Sequence, residues 1–529
     1  MAKRKRTSAA VPEASDPLNA SPTGKPLLPP VANLSISGDD LPTAINFQVI
    51  TGSYEKTLHG FIVSIPESVS PPAAVDTNSI PLPATFTDSF LFTAHTSPIQ
   101  TLAVSPASSG SGFKKRILAT SSADEHIHLY TLTSALAPNP PSQKPTKATS
   151  SVIASNPNNK HLGTLSHHHN TPTALVFTPT RSKLISAGLD GQIHILRARD
   201  WALLSTLKCP KPKARPINFA KDYTDGYGPR IETFSSDGGY GGGAGGVNDM
   251  ALHPSQKILL SVSKGERGVR MWNLMTGRKA GVLMFGRNDI PLQFGREGTK
   301  VEWSADGSEY AVAFERGVVV FGTNSKPKLR IAPTPNSKIH QIRYMTLPMT
   351  LTHPTDRTAE GSKEVLAIST EDGRVLFYLT TSPTPSKETE EETKTPADID
   401  TPHLIGILGG KSLGMPTRVK DFSTIFVGGK QFIITAGSDG AVRVWDLDGS
   451  KDAAAKQGRE MKKVRIEKDE KEEKAGERQV GALVGIYETE RRITCLGVME
   501  MEVGEEKEEV EVVVQEEESD DSSEDDEDE

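Results

Sequence analysis

The chain has 529 residues, 36% of them hydrophobic, with 45 Gly, 37 Pro, two Cys and a net charge of −7. Two cysteines, Cys209 and Cys495, exclude a disulfide framework and a four-cysteine zinc site, and no run approaches the ~18 apolar residues of a membrane helix. The first residues lack the apolar stretch of a signal peptide, so the expectation is a soluble intracellular protein, and the Gly and Pro content suits short strands and turns rather than a helical bundle.

Charge is spread unevenly. Residues 501–529 hold 17 Asp/Glu and one Lys, a net −16, so that the first 500 residues carry +9. The acidic tail, 500–529, is expected to be disordered and suited to basic partners. At the other end Lys3, Arg4, Lys5 and Arg6 open a Pro/Ser-rich leader, 1–44, expected to be disordered and to serve in nuclear import.

One pattern then recurs: an apolar run, a tight turn with Asp, Glu or Gly, and an alternating strand ending in an aromatic or apolar pair. The copies are 49–65, 117–132, 184–198, 258–274, 310–322, 365–379 and 432–447. Each predicts a β-hairpin. Their turns stand at 55, 124, 190, 266, 315, 372 and 439, a mean spacing of about 64. Undecorated four-stranded repeats of this kind need ~40–45. Insertions at 66–85, 133–160, 209–246, 347–363, 380–402 and 448–478 supply the excess.

The last copy reads Gly437-Ser438-Asp439-Gly440 and ends Trp445-Asp446; the fourth ends Trp272-Asn273. This resembles the WD-repeat signature, which implies an all-β, seven-bladed β-propeller. The first hairpin has no strand before it, and the last β-like run, 491–498, has no hairpin after it. That run should join the first blade and close the ring, leaving no open sheet edge. The propeller is expected over 45–499.

Residues that suggest chemistry have a structural reading. In WD-repeat folds the upstream His, the turn Asp and the strand Trp form a buried network, which the resemblance assigns here to His95, Asp124, Asp190, Trp272, Asp439 and Trp445. His167, His168 and His169 cannot all point one way on a strand, so no metal site is read there. The glycine run 238–243 lacks the Gly-Lys-Ser/Thr ending of a phosphate loop. Neither catalytic residues, a metal, a cofactor nor a small-molecule substrate is expected. The segment 208–230 is different: Lys208, Lys211, Lys213, Arg215, Lys221 and Arg230 interleave with Phe219, Tyr223 and Tyr227. Cations for phosphates and rings for stacking suit single-stranded RNA. Arg418 and Lys420 are further candidates for RNA or partner contact.

At the level of whole blades the match narrows. Gly52-Ser53-Tyr54-Glu55, AHTSPIQTLAVS (94–105), RMWNLMTGRKA (270–280), VEWSADGSEY (301–310), RVKD (418–421) and RRITCLGV (491–498) follow in this order. Together they resemble the eukaryotic WD-repeat family of the PAK-interacting protein, "maintenance of killer" in yeast. The resemblance implies a nucleolar, non-enzymatic assembly factor of the large (60S) ribosomal subunit, a monomer within pre-60S particles that contacts assembly factors, ribosomal proteins or rRNA. The alternative it implies is an inhibitor of a Rac/Cdc42-activated protein kinase. The segment 209–246 and the acidic tail depart from the animal pattern, which bears against the kinase role more than the ribosomal one.

Overall fold

The structure, a computed structural model, describes residues 44–66, 82–108, 114–135, 159–210, 245–286, 289–295, 297–348, 362–380, 402–411, 415–447 and 478–501. All of them fall within one compact unit, Thr43–Glu529. They form 28 strands in seven four-stranded antiparallel sheets. The innermost strands are Ile493–Glu500 for blade 1, Ile99–Val104 for blade 2, Pro172–Phe177 for blade 3 and Val247–Leu252 for blade 4. Lys300–Trp303, Ile339–Pro348 and Val419–Val427 serve blades 5, 6 and 7. Each inner strand contacts the inner strand of the next blade, and the circuit closes from blade 7 through Ile493–Glu500 to blade 2.

Closure occurs where the unpaired C-terminal run requires it. Ile493–Glu500 pairs antiparallel with Ala44–Ser53, Val49 opposite Val498 and Thr51 opposite Leu496. Chain ends 440 residues apart are thus stitched into one sheet, whose order is completed by Thr57–Pro66 and Thr85–Thr93.

Packing explains the strand sequences. The two middle strands of a blade are covered on both faces by neighbouring blades, so they read as continuous apolar runs rather than alternating ones. Glu309–Ala313 and Val318–Gly322 are buried at every position. The outermost strand Leu203–Lys208, with one face on solvent, is mostly exposed or half-buried. The core is accordingly divided into seven apolar clusters, one per cleft between blades. Phe47, Phe61, Phe432 and Val444 fill the cleft between blades 7 and 1, and Ile493 and Leu496 complete it.

Turn chemistry defines one face of the ring. The turn between the second and third strands ends on a residue of positive φ in most blades: Gly191 (74°), Gly373 (83°) and Gly440 (87°), but also Lys56 (69°) and Glu125 (71°). A tight turn followed by one left-handed residue is the three-residue hairpin. At Gly440 no side chain fits, since a Cβ would lie 2.5 Å from the Arg491 carbonyl oxygen. Preceding Asp side chains tie the turns: Asp124 accepts from the His126 N–H (3.2 Å), Asp190 from Gln192 (3.0 Å) and Asp439 from Ala441 (3.1 Å). The links between blades lie on this same turn face. The link from blade 4 to blade 5 is built there around a short 3-10 turn, Leu292–Phe294, whose Phe294 is buried.

Candidate functional site: a basic arc on the turn face

His95 and Asp124 meet in blade 2, His168 and Asp190 in blade 3. His95 Nδ1 lies 3.0 Å from Asp124 Oδ2 and its Nε2 2.9 Å from Thr120 Oγ1. His168 repeats the geometry, 3.0 Å to Asp190 and 2.9 Å to Ser186. Burial lowers the His95 pKa despite its carboxylate partner. Burial raises that of Asp124, but the His95 ring and the N–H groups of Thr96 and His126 outweigh it and hold the carboxyl below its usual range.

The tryptophans do not join these networks. Trp272 Nε1 donates to Ser261 Oγ (2.8 Å) and Trp445 Nε1 to Thr435 Oγ1 (3.1 Å). Thr120, Ser186, Ser261 and Thr435 occupy one equivalent position, two residues before the end of the strand that enters the turn. A single hydroxyl serves a histidine in blades 2 and 3 and a tryptophan in blades 4 and 7. The expected His–Asp–Trp network is therefore split: among the described residues no blade carries all three members. Asp439 pairs with Arg443 instead (3.0 Å), as Glu266 pairs with Arg270 (2.7 Å).

Four residues after the turn acid, where blades 4 and 7 have Arg270 and Arg443, blades 2 and 3 have His128 and His194. Burial, then the neighbouring histidines, push both down to about 4. His95, Asp124 and His128 place ligand atoms within 4.8 Å of one another, as do His168, Asp190 and His194. Both ring nitrogens of His95 and His168 already have partners, so a cation would have to displace those bonds. His167 and His169 take no part.

Of the expected RNA-binding residues, Lys211, Lys213, Arg215, Lys221, Tyr223, Tyr227 and Arg230 lie outside the described residues, as do Lys3, Arg4, Lys5 and Arg6. Lys208 ends the outer strand of blade 3, opposite Gln192, and is not near Arg418 and Lys420. Those two are brought together with three residues that the sequence reading missed: Lys338, His340 and Arg492.

The geometry follows from a bulge. At the start of six inner strands the register slips by one residue, leaving Gln100, Thr173, Asn248, His340, Lys420 and Thr494 unpaired. Such bulges re-aim a side chain. The residue before each bulged pair is Pro98, Thr171 or Gly246 in blades 2 to 4, but Lys338, Arg418 and Arg492 in blades 6, 7 and 1. Three consecutive blades thus place a cation at the same spot, an arc around the mouth of the central channel. Aligning the seven repeats on the inner strand would have revealed it.

Electrostatics confirm the proximity. Burial, then the charges of Arg418 and Arg492, lower the Lys420 pKa, with Glu371 opposing. Burial and the charges of Lys420, Arg418 and Lys338 push His340 down to about 4, and its Nε2 is buried without a hydrogen-bond partner. Arg418 lies 3.8 Å from Glu371 and Lys338 3.3 Å from Glu315. The Arg492 guanidinium sits 5.3 Å from the ring centre of Tyr54, which is 54% exposed.

Seven closed blades, hairpin turns tied by Asp, and hydroxyl-bonded His and Trp define a WD-repeat β-propeller. The family model "WD domain, G-beta repeat" matches residues 159–196 and 416–446. Over most of its length the chain is similar to Protein MAK11 of Saccharomyces cerevisiae, 27% identical over 427 residues, 77% of this chain and 80% of that protein. It is also similar to the p21-activated protein kinase-interacting protein 1-like of Gallus gallus, 22% identical over 404 residues, 76% of this chain and 74% of the relative. Both relatives bear out the family resemblance read from the motifs.

Proposed function

We propose that this chain is a non-enzymatic assembly factor of the large ribosomal subunit, a rigid platform that holds protein and rRNA segments of nucleolar precursor particles. The observation that carries this reading is similarity to the yeast relative over 77% of this chain and 80% of that protein. The turn face supports it: tied hairpins and buried inter-blade clusters make a surface that pays little entropy on docking. On this reading Lys3, Arg4, Lys5 and Arg6 direct import, and 208–230 contacts rRNA. Purification of the tagged full-length chain, scored for large-subunit precursor rRNA, tests the proposal. Recovery of precursor rRNA at background level overturns it.

The name of the chicken relative favours a second reading, regulation of a p21-activated protein kinase. Capture of the kinase by the purified chain, with inhibition of its activity and without precursor rRNA, would put that reading first.

A further inference from the structure

We propose that the basic arc over blades 6, 7 and 1 binds single-stranded RNA, with a backbone phosphate seated at Lys420 and Arg418 and a base stacked on Tyr54. The proposal deepens the reading of the chain as a pre-ribosomal factor and rests on it for the source of the RNA.

The first ground is repetition. Lys338, Arg418 and Arg492 recur at one position in three adjacent blades, whereas the equivalent residue before the inner strand of blade 5 is Glu297. Solvated charge scattered over a surface has no reason to follow the blade period. A chain-like ligand crossing successive inner strands does supply one.

The second ground is an unanswered charge. The acids near the arc engage its other members: Glu371 pairs with Arg418, Glu315 with Lys338, and Glu55 accepts from the Arg492 N–H (3.4 Å). Among the described residues the Lys420 side chain has no hydrogen bond and no ion pair, although it is half-buried and flanked by like charge. Withdrawing a cation from water without a partner costs free energy. A bound anion removes that cost.

The third ground selects the class of anion. An acidic peptide would use the cations and leave the ring idle. Tyr54 stands more than half exposed at the end of the arc with Arg492 over its face. Ring and guanidinium together form the stacking platform on which unpaired bases are held.

The test uses the full chain and a short oligouridylate, followed by fluorescence anisotropy across a salt series, with polyglutamate as competitor. Lys420→Met should weaken binding roughly tenfold, as loss of one charge-assisted contact does, and flatten the salt slope by about 0.7. Tyr54→Ala should weaken it by a similar roughly tenfold factor without changing the slope. Arg492→Ala, at an exposed side chain, provides a variant with no folding risk and should flatten the slope likewise. Lys430→Met, at the other end of its sheet, should change nothing. Equal losses from Lys420→Met and Lys430→Met, no loss from Lys420→Met, or displacement of RNA by polyglutamate at equal charge would overturn the proposal, the last in favour of an acidic protein. Failure here is separable from failure of the ribosomal reading. A chain that recovers precursor rRNA but binds oligouridylate independently of Lys420 loses the arc and keeps the platform. A chain whose oligouridylate binding depends on Lys420, yet recovers no precursor rRNA, keeps the arc and loses the platform.

Discussion

Blades 2 and 3 and blades 6, 7 and 1 treat the same face of the ring in opposite ways. In blades 2 and 3 polar side chains turn inward: His95 and His168 each use both ring nitrogens on a carboxylate and a hydroxyl of their own blade. In blades 6, 7 and 1 the equivalent region carries Lys338, Arg418, Lys420 and Arg492, and the central cation, Lys420, has no partner among the described residues. A polar group whose bonds are all satisfied internally holds a blade together. A charged group left half-buried beside like charges stabilises nothing in the free protein, and is better explained by what binds to it.

The largest expected effect tests the frame that holds both regions. Truncation after Glu488 removes Ile493, Leu496 and Met499, each nearly fully buried. At ~1.5–3 kcal/mol per side chain this loss rivals the whole stability of a typical domain, about 5–15 kcal/mol. The truncated chain should unfold or aggregate, whereas truncation after Glu505 should leave the melting temperature nearly unchanged. Equal melting temperatures would contradict ring closure.

Next come the internal networks. His95→Ala or His168→Ala should cost roughly 1–3 kcal/mol, because a buried carboxylate and hydroxyl lose their partners. Asp439→Ala, which removes the ion pair with Arg443 and the acceptor of the Ala441 N–H, should fall in the same range of about 1–3 kcal/mol. Thermal denaturation measures these costs, and partner affinity should survive in each variant. A variant of full stability that loses its partner would turn a structural residue into a contact residue.

A smaller, pH-dependent effect tests the histidines of blades 2 and 3, with His340 of blade 6 contributing in the same direction. His128 and His194 titrate at about 4 when folded and at the ordinary value of 6.5 when unfolded. Between those values the unfolded chain binds more protons, so stability falls as pH drops from 6.5 towards 4. Replacing both with Gln should flatten the decline in melting temperature over that window. A decline of the same steepness would assign it to other groups.

The smallest effect is expected in the arc. Lys420→Met and Arg492→Ala should change stability by no more than about 0.5 kcal/mol. For Lys420 the direction should be a slight gain, because its lowered pKa shows that the folded chain disfavours the charged form. A large destabilisation would make the arc structural and remove its contrast with blades 2 and 3.

The hairpin repeat was legible in the sequence because its physics is local. Apolar runs, an Asp-tied turn and a left-handed glycine recur within about 15 residues, and an unpaired strand at each end of the count was enough to require closure. The participants in the buried networks were legible one by one. Their partners were not: whether Thr120 or Thr435 bonds a histidine or a tryptophan depends on which large side chain the neighbouring strand delivers to it. The basic arc was least legible. Arg418 and Lys420 drew notice as a short basic motif, but Lys338 and Arg492 stand 80 and 74 residues from Arg418; Lys338 carries no motif, and Arg492 was read only as part of the closing strand's motif. Composition and period place each of these cations at the start of an inner strand. Only the closed ring sets those starts side by side, and only the bulge brings Lys420 and His340 out of the sheet pairing to meet them.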